Sequence, residues 1–324
     1  MKDPAARRGG DRARRVEWRA MVGGRGGARR ERRAVGGAIV AVTACLTLLG
    51  PLPTRASVTD PNDNRGNFSV ACAYSHSRAD DPIVYPGQPG ASHLHDFFGN
   101  RTTMAYSVNE TNRVPATTCT LLSDASAYWA PTAFMPGRQV KPRRVAVYYF
   151  GLAKGTVATI PAGLQMISGD KEAVDAARNP RVRWTCGSRF SPQSTHPYNC
   201  ERYRGMRSDG VAAQIEFQRC WNGTGTAPAD VAYRGDDGCP VVFPFRLPSI
   251  SMRIHYPVMD PCRMARPCGP GARGGENVVM SLSSGPYYTM HADFWNTWIQ
   301  RRLDELVNRC LRHRTDCGIL GVPG

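Results

Sequence analysis

Eleven cysteines occur in this chain, and all but Cys45 follow residue 56: Cys72, Cys119, Cys186, Cys200, Cys220, Cys239, Cys262, Cys268, Cys310 and Cys317. An even set behind an export signal reads as disulfides, and disulfides limit the arrangements open to a chain more than any propensity does. Zinc is the rival use of so many thiols. No C-x-x-C pair is present and the spacings are irregular, so a structural zinc module is disfavoured. The connectivity is not fixed by sequence. Short separations favour Cys262–Cys268 and Cys310–Cys317 as local clips. Cys186–Cys200 and Cys220–Cys239 come next, which leaves Cys72–Cys119. Each bridge stabilises by roughly 2–4 kcal/mol, mainly by restricting the unfolded chain.

The export signal is read from residues 1–56. Arginines crowd Arg7 to Arg33, an uncharged run follows from Ala34 to Thr54 with the apolar centre Ala38–Leu49, and Pro51-Leu-Pro-Thr-Arg-Ala56 closes it. These are the basic, apolar and small-residue regions of a secretory signal, with cleavage expected after Ala56. The apolar centre falls short of the roughly 18 residues a membrane anchor needs. Of the 42 Lys and Arg, 13 lie in this leader with 4 of the 26 acidic residues, so the remainder carries 29 against 22, or +7. The basic excess therefore argues for export and against nucleic-acid binding. Mild positive charge in the mature part suits an anionic wall or polysaccharide.

Residues 57–324 read as one secreted domain, large enough for a sizeable core. Short β-branched or aromatic runs recur at Arg144–Phe150, Val182–Cys186, Val211–Phe217, Ile250–Tyr256 and Val278–Leu282, separated by Pro and Gly clusters. Several alternate in period two, which is a strand-and-turn pattern. Strand and helix do not alternate, so a doubly wound parallel sheet is disfavoured. The expected fold is α+β and β-rich: a mainly antiparallel sheet or sandwich with long loops, disulfide-stabilised, ending in an amphipathic helix. That helix is expected over Phe294–Leu311, where Phe294, Trp295, Trp298, Ile299, Leu303, Leu306, Val307, Cys310 and Leu311 form a stripe. A shorter helix is expected around Asp170–Arg178, ahead of Pro180.

The chemistry-bearing residues gather in two places. Asp80, Asp81, His93, His95 and Asp96 crowd a Pro/Gly-rich stretch, and His291-Ala-Asp293 forms a smaller group. Histidine titrates near neutrality and is the commonest metal ligand. His93 and His95 would share a face of an extended strand, with Asp96 on the other. That suits an acid/base histidine with Asp81 or Asp96 setting its tautomer, and His291 completing the cleft. It equally suits a divalent metal held by His93, His95, His291 and Asp293. Asp293 has a rival role as the cap of the terminal helix. His255 is expected at the surface or rim, and His76, His196 and His313 as structural. Tyr85, Tyr128, Trp129, Trp221 and Tyr288 are candidate stacking platforms for sugar rings. The P-loop, H-E-x-x-H and G-x-S-x-G motifs are absent.

Asp81-Pro-Ile-Val-Tyr-Pro-Gly87, Ser92-His-Leu-His-Asp-Phe-Phe-Gly99, Ser126-Ala-Tyr-Trp-Ala-Pro131, Pro161–Gly169, Trp184-Thr-Cys186, Cys220-Trp-Asn-Gly223 and His291-Ala-Asp-Phe294 occur in that order. As a set, running through residues 68–311, they resemble a family of secreted fungal and actinobacterial proteins classed as a domain of unknown function. Fungal relatives sometimes carry carbohydrate-binding modules, which implies life on a polysaccharide. The stretch Met259–Gly275 departs from that pattern and looks like an insertion. The expected function is action on cell-wall or environmental polysaccharide by hydrolysis or elimination. The alternatives are a non-catalytic glycan-binding protein and a metal-binding one. The expected form is a monomer whose partner is a glycan, without nucleic acid or a stable membrane span.

Processing gives the first test. Mass spectrometry of secreted protein is expected to show an amino terminus within a few residues of Ser57; retention of residues 38–49 would contradict the signal.

Overall fold

The computed structural model describes residues 65–109, 116–263, 268–270 and 275–321. The leader, its cleavage point and part of the Met259–Gly275 stretch lie outside the described residues. In chain order the strands are β1 (Asn67–Arg78), β2 (His95–Gly99), β3 (Ala127–Pro131), β4 (Ala133–Met135), β5 (Arg138–Val140), β6 (Arg144–Phe150), β7 (Gln165–Gly169), β8 (Val182–Thr185), β9 (Ala212–Glu216), β10 (Cys220–Trp221), β11 (Val231–Ala232), β12 (Phe245–Arg246), β13 (Ser249–His255), β14 (Ser281–Leu282), β15 (Gly285–Pro286), β16 (His291–Trp295) and β17 (Asp316–Ile319). The main sheet runs β7-β16-β3-β2-β1-β6-β13-β9-β8, with β17 added beside β1. Every pairing along that path is antiparallel; only β17 lies parallel to its neighbour. Two small sheets, β11-β10-β12 and β15-β14-β4-β5, complete a β-rich α+β fold.

Strand formation follows the sequence most closely where one face is apolar. In β6, Val145, Val147 and Tyr149 are buried while Arg144, Ala146, Tyr148 and Phe150 are only partly covered. That is the period-two signature of a strand. At the sheet centre both faces are covered. Phe98, Tyr128 and Phe294 join the principal core, while Phe97, Ala127, Trp129 and Trp295 form a second small cluster with Ile83 packed on it. Adjacent residues of one strand belong to different clusters because side chains alternate between faces.

The terminal helix begins later than its spacing predicts. His291–Trp295 is a strand, and α1 spans Gln300–Leu306 before a π-helical turn at Val307–Arg312. Leu303, Leu306, Val307, Cys310 and Leu311 are the buried stripe. Phe294 and Trp295 mimicked that stripe because both faces of their strand are covered. Asp293 is therefore not a helix cap. The expected helix at Asp170–Arg178 is a series of turns, in which Asp170 Oδ1 accepts from the Glu172 amide and Asp175 Oδ1 from those of Ala177 and Arg178. Aspartate offers the backbone this alternative to helix. Among the described residues no helix is long and apolar enough to cross a membrane.

All ten cysteines after residue 56 are paired, as Cys72–Cys119, Cys186–Cys200, Cys220–Cys239, Cys262–Cys268 and Cys310–Cys317. This is the pairing that sequence separation favours. The main core also contains a directed polar chain. Trp298 Nε1–H donates to the Tyr149 hydroxyl at 3.2 Å, the Tyr149 and Tyr128 hydroxyls lie 2.9 Å apart, and Tyr128 donates to Asp124 Oδ2 at 2.9 Å. It ties the segment after β16 to β6 and β3.

Replacing Tyr149 with Phe removes the middle of this chain and leaves the Trp298 N–H buried without an acceptor. The expected loss is about 1–3 kcal/mol of unfolding free energy by urea titration. A variant as stable as the wild type would show that the chain contributes nothing.

Candidate functional site

The register of three neighbouring strands builds the site. His95 lies opposite Pro131, and Phe97 opposite Trp129, which in turn faces Asp293. His95, Phe97, Trp129, Pro131, His291 and Asp293 therefore share one face of the sheet, away from the principal core. The 79–94 segment between β1 and β2 covers this face and returns His93 to it. Two aspartates shape that segment. Asp80 accepts the Gly90 amide on Oδ1 and the Ala105 amide on Oδ2. Asp81 Oδ1 accepts the amides of Ile83 and Val84, both at 3.0 Å. On the other side Gly169 of β7 pairs with His291. A Cβ at Gly169 would sit 2.7 Å from the His291 Cα and 2.5 Å from the Met290 carbonyl, and its φ is +91°. Only glycine lets β16 approach there.

The three histidines converge. His93 Nε2 lies 3.2 Å from His291 Nε2, and His95 Nε2 lies 3.4 Å from the same atom. The outer nitrogens are occupied by backbone: His95 Nδ1–H donates to the Asp80 carbonyl, and His291 Nδ1–H to the Thr289 carbonyl, each at 3.0 Å. Carbonyls only accept, so both rings carry their proton on Nδ1 and, when neutral, turn bare Nε2 lone pairs towards each other. His95 and His291 are buried, whereas His93 is half-buried and forms the solvent side. Burial holds all three below the usual histidine range, with neighbouring imidazoles adding to the effect on His95 and with Lys171 next after burial on His93. His291 is brought down to about 4, chiefly by burial. The cluster is thus uncharged at neutral pH.

A second group overlaps the first. One ligand atom from each of Asp81, His95 and Asp293 lies within 4.8 Å of the others. Asp293 is 1% exposed, and neither carboxylate oxygen has a hydrogen-bond partner among the described residues. Burial, then the charge of Asp81, raises its pKa well above the ordinary carboxylate value. Burial also raises Asp81, against the pull of its two amide bonds.

Several expectations need correction. Asp96 points to the opposite face, where its Oδ1 accepts the Ser77 and Thr132 hydroxyls at 2.6 and 2.9 Å. It does not set a histidine tautomer, and neither does the Asp81 carboxylate; backbone carbonyls do. Tyr128 and Trp129 are fully buried, so they are not sugar platforms. Tyr128 belongs to the core chain, and Trp129 packs on Phe97 at 5.5 Å. Trp221 lies outside the main sheet, with its indole N–H on the Gly225 carbonyl and its ring 5.8 Å from Phe245. His255 is buried rather than at the rim, its Nδ1 3.2 Å from Asp209 Oδ1. Tyr85 and Tyr288 are half-buried, on the covering loop and on the turn leading to His291. His76 and His196 bond the carbonyls of Thr103 and Gly269 and stay outside the trio.

Two residues at the mouth were not singled out from sequence. Lys171 and Glu172 are exposed on the turn after β7 and interact electrostatically with His93. Lys171 also acts on His291 and Tyr85. The signal lay in their position, two and three residues beyond Gly169.

The histidines make acid costly. A buried His291 with a folded pKa of about 4 against an ordinary 6.5 leaves the unfolded chain binding more protons between those values. Its contribution is present above pH 6.5 and is lost as pH falls through 4. Urea midpoints in chelator should therefore fall as pH drops across this window, and fall less in His291→Gln. An equal fall in both would exclude His291 as the source.

The model of a domain of unknown function (DUF1996) matches residues 81–298, the span that carries both carboxylates and all three histidines. No curated protein and no solved structure matches the chain. With two thirds of its length covered by that model, the chain belongs to the DUF1996 family.

Proposed function

We propose that the protein is an extracellular metal-dependent enzyme acting on polysaccharide, with His93, His95 and His291 holding one divalent transition ion. The observation that carries the reading is the set of three Nε2 atoms at 3.2 and 3.4 Å, with two outer nitrogens committed to carbonyls. Nitrogens bound at about 2.0–2.1 Å to a tetrahedral ion lie roughly 3.3 Å apart. Two opposed lone pairs repel each other unless a cation or proton lies between them. Carbonyls on the outer N–H groups are the usual device for orienting ligating imidazoles. Three imidazoles suit zinc and its neighbours and leave a position for solvent. Such an ion supplies Lewis acidity and an activated water.

The chain's own residues supply the rest. His93, on the solvent side, gives the ion access to a large substrate. Tyr85 and Tyr288 offer flat faces to sugar rings, and Lys171 with Glu172 offers charged groups to hydroxyls or carboxylates. The five disulfides support a loop-rich protein outside the cell.

Elemental analysis of protein purified without chelator is expected to find one zinc- or copper-class ion per chain. His95→Ala should lower both metal retention and turnover roughly 100-fold or more. A panel of polysaccharides followed by product mass spectrometry separates hydrolysis, which adds water, from elimination, which leaves an unsaturated end. Unchanged metal retention in His95→Ala would refute the centre. Metal retention with glycan binding and no product would leave a binding protein.

A further inference from the structure

We infer that Asp81 and Asp293 form a second cation site, oxygen-rich and adjoining the imidazole site, with His95 as the wall between them. The argument starts from what Asp293 lacks. It is 1% exposed, yet both of its oxygens are without a hydrogen-bond partner among the described residues. Burying a carboxylate without a partner is among the most costly placements a fold can make. Its neighbours give no structural reason for it. On the same face, Phe97, Trp129 and Trp295 form an apolar cluster that an aliphatic residue would extend. It caps no helix, since it lies within β16.

Asp81 sharpens the point. It is 4% exposed and one of its oxygens falls within 4.8 Å of an Asp293 oxygen and a His95 nitrogen. Its Oδ1 accepts the amides of Ile83 and Val84, which holds the carboxylate in place. Two buried carboxylates this close repel, and one divalent cation neutralises both. Carboxylate oxygens select harder ions than three imidazoles do, so the class is Mn²⁺ or Mg²⁺ rather than copper or zinc. His95 has a single lone pair, on Nε2, because Nδ1–H is committed to the Asp80 carbonyl. With an ion in the imidazole site, the second cation rests on the carboxylates and water. Two ions on either side of one histidine would form the kind of paired centre that clamps attacking and leaving oxygens. The inference rests on the imidazole reading only for that pairing; the carboxylate site stands without it.

Chelator-stripped, disulfide-intact protein is titrated with Mn²⁺ followed by electron paramagnetic resonance, and separately with Zn²⁺ by calorimetry. Wild type is expected to bind both. Asp293→Asn and Asp81→Asn should each weaken Mn²⁺ binding roughly tenfold or more and keep tight Zn²⁺ binding. His291→Ala should do the reverse. Circular dichroism and melting confirm that each variant is folded, and Asp81, on a covering loop, serves if Asp293→Asn does not fold. Wild type that binds no Mn²⁺ at millimolar concentration, or folded Asp293→Asn and Asp81→Asn that bind it like wild type, would overturn the inference. Loss of Zn²⁺ binding alone in wild type would overturn the imidazole reading and leave this one standing.

Discussion

The antiparallel register of β2, β3 and β16 is the constraint on which the rest depends. It places His95 opposite Pro131, and Phe97 and Asp293 on either side of Trp129, with His291 two residues before Asp293 on the same strand face. A slip of one residue would turn Phe98, Tyr128 and Phe294 out of the principal core and drive the imidazoles and Asp293 into it. Burial on both faces makes such a slip prohibitive. The core side is further pinned by the chain from Trp298 through Tyr149 and Tyr128 to Asp124, which joins strands that are not neighbours. The Cys72–Cys119 bridge fastens β1 to the segment whose Thr118 exchanges backbone and side-chain bonds with Gly99 at the end of β2. Fold stability and site geometry are therefore the same problem in this protein.

That coupling explains which parts of the sequence could be read. A strand with one covered face, such as Arg144–Phe150, announces itself by alternation. Strands covered on both faces do not. Ala127–Pro131 shows no apolar/polar alternation, and in His291–Trp295 the final Phe294-Trp295 reads as the start of a helix. Tyr128 and Trp129 were misplaced for this reason: aromatic residues beside a proline look exposed until both sides of the strand are known to be packed. Cysteine spacing was more informative because short loops close at small entropic cost.

The histidines themselves were legible as H-x-H and H-x-D, since period-two spacing puts each pair on one strand face. Their partners were not. A sequence search for the group that orients an imidazole looks for a carboxylate, and Asp96 is the nearest in the chain. The fold uses the carbonyls of Asp80 and Thr289 instead, which every residue carries and no sequence pattern marks. The acidic residues of the covering loop serve first as backbone acceptors, through Asp80 on Gly90 and Ala105 and Asp81 on Ile83 and Val84. Their crowding beside the histidines is thus partly a loop-building device. Asp293 differs because it makes no such bond among the described residues.

Buried titratable groups on the two faces oppose each other with pH. Asp96, at about 6, and Asp124, at about 7, are both raised chiefly by burial. Their folded values exceed the ordinary 3.8, so the folded chain binds protons more readily, and their contribution fades as pH rises through 6 and 7. His95 and His291 are lowered by burial, and their contribution fades as pH falls below 6.5. The protein without an ion is thus pressed from both sides across mildly acidic pH. An ion on the imidazoles competes with protons for the same lone pairs, so its stabilisation is full where those nitrogens are unprotonated and fades as acid protonates them. The carboxyls on the core face are untouched by it, since the sheet separates them from the site. Metal would accordingly stabilise fully at neutral pH and least in acid, so the fall in stability on the acid side becomes longer and the pH of greatest stability does not move downward.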